Sequence, residues 1–94
     1  MALTVVVNRL EESYNVYIGR PSKWGNPFII GRDGTRLEVI DKYRNYIQSS
    51  RLLMMCIPEL VGKTLGCWCK PLPCHGDVLV ELAEQYRILG ERKD

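Results

Sequence analysis

No stretch of this sequence approaches the roughly 20 consecutive apolar residues that a membrane-spanning helix needs, so membrane partners are not expected. The start, Met1-Ala2-Leu3-Thr4-Val5-Val6-Val7-Asn8, has no basic leader ahead of an apolar core, which makes the cytoplasm the default address. Charge of one sign is scarce as well: a net charge of +2 is too mild to argue for nucleic acid by itself. Repeats, low-complexity tracts and linkers are missing, and 94 residues suffice for one domain, taken as 1–94. With 46% hydrophobic and 26% charged residues, the composition excludes both a disordered tail and a coiled-coil rod. A chain of this length buries only about 60–65% of the surface that its unfolded form exposes, so the core is adequate rather than generous.

What remains is a globular chain of alternating element types. Leu3 to Asn8 is a β-branched run that predicts a buried strand, and Tyr14 to Gly19 predicts a second strand paired with it. From Arg20 to Gly34 the chain is punctuated by Pro21, Gly25, Pro27, Gly31 and Gly34, an irregular loop whose Trp24 and Phe28 should pack it down. Thr35-Arg36-Leu37-Glu38 matches a capping box. Helical spacing of Leu37, Ile40, Tyr43 and Ile47, widened by Val39 and Tyr46, then predicts a helix over 36–49.

A shorter helical piece is expected over 51–60, broken near Pro58, with Gly62 as a left-handed terminator. Lys63 to Cys69 predicts a strand. His75 to Leu89 predicts the last helix, with Val78, Leu79, Leu82, Ala83, Tyr86 and Leu89 on one face, Gly90 as its stop and 91–94 as a frayed tail. The order β-β-α-α-β-α implies an α/β fold: a small single-domain sandwich with a short mixed sheet. The crossover from the Tyr14 strand through the helix to the Lys63 strand should be right-handed if those strands are parallel.

The main anomaly is the clustering of thiols. Cys67, Cys69 and Cys74 lie within eight positions and His75 follows at once, whereas Cys56 sits in an apolar run and suits the core. If Cys67-Trp68-Cys69 ends a strand, both sulfurs share one face, and the Lys70-Pro71-Leu72-Pro73 turn returns Cys74 and His75 to the same edge. Cys67, Cys69, Cys74 and His75 therefore make a candidate zinc site. Their spacing is not that of a common finger or ribbon. A second reading makes Cys74 a nucleophile at a helix start, with His75 and Asp77 as base and orienter, or has Cys74 close a disulfide with Cys69. In a third, the thiols only fill space and Asp77 caps the last helix.

The second anomaly is a locally basic loop. Arg20, Lys23, Arg32 and Arg36 face only Asp33 between positions 20 and 36. Gly19 and Gly25 allow close backbone approach, while Arg20, Ser22, Lys23 and Asn26 offer donors, as an anion-binding loop after a strand requires. The order of a Walker loop is absent. Turn chemistry, with Trp24 and Phe28 as packing anchors, accounts for the same residues without a ligand.

Val16-Tyr17-Ile18-Gly19-Arg20-Pro21-Ser22-Lys23-Trp24-Gly25-Asn26-Pro27-Phe28, with Leu65-Gly66-Cys67-Trp68-Cys69 and Cys74-His75-Gly76-Asp77, resembles a small uncharacterised phage and bacterial family, a domain of unknown function. The resemblance runs from about Tyr14 to Ala83 and implies that the two blocks belong together functionally. It supplies no activity.

The residues themselves suggest a zinc-binding domain that brings a phosphate-bearing ligand, a nucleotide or nucleic acid, to the Cys/His edge through Arg20, Ser22, Lys23, Trp24 and Asn26. Trp24 or Trp68 would stack on a base. The alternatives are an enzyme using Cys74 or a metal-activated water, and a phage-type protein–protein inhibitor without catalysis.

Overall fold

Thr64-Leu65-Gly66-Cys67 carries no charge and only small or apolar side chains, and such a strand is stable only when covered on both faces and both edges. The computed structural model, which describes residues 3–91, puts it at the centre of the sheet. β1 (Val5–Asn8), β2 (Val16–Tyr17) and β3 (Thr64–Cys67) are arranged β1-β3-β2, and both pairings are parallel. The register aligns Val6 and Val16 with Leu65, one on each side.

Two expectations are corrected here. The sheet is wholly parallel rather than mixed, and β1 does not pair with β2, because β3 lies between them. The physical reason is the 9–15 connection, which is no tight hairpin turn and crosses the sheet instead. Its Tyr14 ring lies so close over Gly66 that a Cβ there would come within 2.6 Å of it. The sheet is thus closed on one side by Tyr14 and on the other by the helices. All three strands are also shorter than expected: β1 starts at Val5 rather than Leu3, β2 covers only Val16–Tyr17, and Trp68 and Cys69 fall beyond the end of β3.

α1 (Arg36–Ser49) begins where the capping box places it: Thr35 Oγ1 accepts from the Glu38 amide, and Glu38 Oε1 accepts from the Thr35 amide. Val39, Tyr43 and Ile47 form its buried stripe, while Leu37 stays in solvent. α2 (Arg51–Cys56) continues into a 3₁₀ turn (Ile57–Leu60) at Pro58, and Gly62 follows with φ of +76°. Together α1, α2 and the turn form the crossover from β2 to the parallel β3.

α3 (His75–Glu91) packs Val78, Leu79, Leu82 and Ala83 into the single core with Ile18, Trp24, Tyr43, Leu65 and Cys67. Gly90 does not stop it, and Tyr86 and Leu89 are exposed because the helix outruns the layer beneath it. Of the expected frayed tail, Glu91 belongs to the helix and 92–94 lie outside the described residues. No helix among the described residues is long and apolar enough to cross a membrane.

Candidate functional site: a cleft at the carboxyl ends of the strands

Parallel strands deliver their following loops to one edge, and open α/β sheets bind ligands there. In this chain that edge gathers the segment after β2, the turn after β3 and the first turns of α1 and α3. A cleft of about 200 Å³ opens between them. Arg20, Asn26 and Phe28 line it from the loop, Arg36, Val39 and Ile40 from α1, and Cys69, Pro73 and Cys74 from the turn. Two guanidinium groups thus border it, and no carboxylate does.

The loop is held from behind by buried hydrogen bonds. Trp24 is 2% exposed, and its carbonyl accepts a 2.7 Å bond from the hydroxyl of Tyr43. Asn26 spends its amide locally: Nδ2 donates to the Val39 carbonyl, and Oδ1 accepts from the Phe28 amide. Gly25 lies against the backbone of Arg20, where a Cβ would approach Arg20 Cα to 3.1 Å. Arg20 lines the cleft, and no carboxylate among the described residues forms an ion pair with it. Arg36 also lines the cleft and ties α1 to the turn by donating from Nη1 to the Pro73 carbonyl.

The other predicted loop residues do not converge on the cleft. Lys23 turns to the 3₁₀ turn, where Nζ pairs with Glu59 at 3.0 Å, and that bond raises the lysine above its usual range. Ser22 Oγ is buried with no hydrogen-bond partner among the described residues. Trp24 belongs to the core, which removes it as a stacking surface. Trp68 is 52% exposed, lies over the Arg9 guanidinium at 4.6 Å and donates from Nε1 to the Tyr17 hydroxyl.

At the cysteine cluster the structure brings together two sulfurs of the four expected ligands. Cys67 Sγ and Cys74 Sγ lie 3.4 Å apart and buried, while Cys69 is half-buried on the cleft wall. His75 is turned to a different task. Its Nε2 lies 2.7 Å from the Ile18 carbonyl, which can only accept, so that nitrogen carries the proton. The ring is 8% exposed and packs edge-on against Tyr43 at 5.0 Å. Among the described residues no group of three or more His, Cys, Asp or Glu is placed to hold a metal ion. The residues therefore do not fit a Cys₃His zinc centre in this arrangement.

Nor do Cys74, His75 and Asp77 form a relay. Burial, then the hydrogen bond to Cys67 and its charge, push the Cys74 thiol up to about 12, the opposite of an activated thiolate. Burial holds His75 below its usual value of 6.5. Asp77 serves the helix: Oδ2 accepts from the Cys74 amide at 3.1 Å, and Oδ1 pairs with Lys70. Gly76 completes the block, since a Cβ there would meet Ile18 and Val6 at 2.7 Å. The two sequence blocks thus meet, but through structural bonds. Sequence reasoning missed Arg36 as a site residue; the signal was available, because the capping box starts α1 at that position.

The fold and cleft define a small two-layer α/β domain with a three-stranded parallel sheet and a cationic cleft at the strand ends. By sequence, the model of the domain of unknown function DUF4326 matches residues 6–85, and the chain belongs to that family. It is 42% identical over 93 residues to the uncharacterized protein R718 of Acanthamoeba polyphaga mimivirus, covering 80% of this chain and 71% of that protein. It is 34% identical over 85 residues to an uncharacterized 12.4 kDa protein of the nrdA-td intergenic region of Enterobacteria phage T4, covering 85% and 77% respectively. No solved structure matches the chain.

Proposed function

We propose that this domain binds a phosphate-bearing ligand, a nucleotide in the first instance, with the phosphate held between Arg20 and Arg36. The observation that carries this reading is the pair of guanidinium groups lining one cleft without a carboxylate, at the carboxyl ends of parallel strands. Arg20 is the principal binding group, because its side chain has no ion-pair partner among the described residues. Arg36 contributes charge while its Nη1 stays on Pro73.

Size narrows the ligand. Small-molecule pockets commonly enclose about 300–1,000 Å³, and this cleft offers about 200 Å³. It accommodates a phosphate and part of a sugar, not a dinucleotide, and a base must lie outside. Phe28, Ile29 and Ile30 border the cleft with apolar surface for that remainder. Neither zinc nor a nucleophilic Cys74 is needed for this reading.

The test is calorimetric titration with pyrophosphate and with a nucleoside monophosphate, on the native chain and on Arg20→Ala. A charge-assisted hydrogen bond is worth about 1.5–3 kcal/mol, so Arg20→Ala should weaken binding roughly ten- to hundredfold. Equal affinity of the two proteins, or no heat with either ligand at millimolar concentration, rejects the proposal.

A further inference from the structure

Cys67 ends the central strand and Cys74 precedes the last helix, so the fold rather than sequence spacing decides that these two thiols meet. Their sulfurs are 3.4 Å apart, against the about 2.05 Å of a disulfide bond. The chain between them, 68–73, belongs to no helix or strand, so the remaining gap can close by adjustment of one turn. Cys74 is also among the residues that line the cleft and Cys67 is not, while both belong to the core. A third thiol, Cys69, faces the same cleft without being the partner.

We propose that Cys67 and Cys74 are a redox-sensitive dithiol, which a small peroxide entering the cleft converts to an intramolecular disulfide. The Cys74 thiolate attacks one peroxide oxygen, the O–O bond breaks, and a sulfenic acid and hydroxide result; the hydroxide takes up the thiol proton as water. The Cys67 thiolate then attacks the sulfenic sulfur, the S–S bond forms, and the departing hydroxide takes the Cys67 proton as a second water. The two sulfurs lose two electrons and the peroxide gains two. Because burial pushes the Cys74 thiol up to about 12, very little thiolate exists near neutral pH, and the reaction answers sustained exposure rather than a brief pulse. This inference is independent of what the cleft binds.

The test is to incubate the folded chain with hydrogen peroxide for hours, block free thiols by alkylation, and map cross-linked peptides by mass spectrometry. The expected product joins Cys67 to Cys74 and has lost two hydrogens, with Cys56 and Cys69 alkylated. Cys69→Ser should form the same link, whereas Cys67→Ser should form none. A link from Cys69 to Cys74, or sulfinic acid at Cys74 without a link, overturns the proposal. So does an unchanged dithiol after an exposure that cross-links the same chain unfolded in urea. The peptide map of the native chain decides the matter even if Cys67→Ser fails to fold.

Discussion

His75 is the single histidine of the chain, and it makes a sharp prediction about pH. In the unfolded chain its ring titrates near the usual 6.5, whereas burial lowers it in the folded protein. The groups around it pull in both directions: Arg20 opposes protonation, Asp77 and the Ile18 carbonyl favour it, and the Tyr43 ring packs against it. The net direction is down. Above pH 6.5 the ring is neutral in both states and costs nothing. Below 6.5 the unfolded chain takes up a proton that the folded chain refuses, so stability falls as pH falls, until the folded ring also titrates. The slope is at most about 1.4 kcal/mol per pH unit for one proton, which gives a loss of up to about 1.4 kcal/mol between pH 7.5 and 5.5. That is a large share of the margin of a small domain. The carboxylates held below their usual range, among them Glu38 and Glu84, lose their contribution only at lower pH, which leaves this window to His75. Urea unfolding at several pH values measures the effect, with His75→Gln as the control, since glutamine can donate to Ile18 but does not titrate. A flat profile in the native chain refutes the reasoning, and so does the same slope in His75→Gln.

Three further predictions concern the scaffold, each read as a shift in urea midpoint. Tyr43→Phe leaves the buried Trp24 carbonyl without its 2.7 Å donor and should cost about 1–3 kcal/mol. Gly66→Ala puts a methyl into the Tyr14 ring and should cost about 1–3 kcal/mol, yet be nearly neutral in a Tyr14→Ala background. Thr35→Ala removes half of the capping box and should cost about 1 kcal/mol, without altering ligand affinity at the cleft.

The parts of the fold legible in the sequence are those fixed by neighbours along the chain. The α1 boundaries follow from Thr35, Glu38 and the 3.6-residue period, and the break at Pro58 follows from a missing amide. Strand order was not legible, because it depends on which strand needs cover on both sides, and Gly66 reveals that only once Tyr14 lies on it. The exposure of Tyr86 and Leu89 is of the same kind: their spacing is helical, but the core ends before they do. At the site, the meeting of the two blocks was legible and the role of each side chain was not. Asn26 and His75 have the chemistry of ligand groups, yet the backbone carbonyls of Val39 and Ile18 consume it, and burial in the core takes the Trp24 ring. Such partners come from segments far away in sequence, and no local pattern encodes them.

The central claim, that the Arg20–Arg36 cleft is the ligand site, is tested most directly by mapping backbone amide shifts while pyrophosphate is added to isotope-labelled protein. The account predicts saturable shifts confined to the loop around Arg20, the first turn of α1 and the turn ahead of α3, all lost in Arg20→Ala. Shifts centred on the exposed apolar end of α3, or shifts that survive in Arg20→Ala, would contradict it.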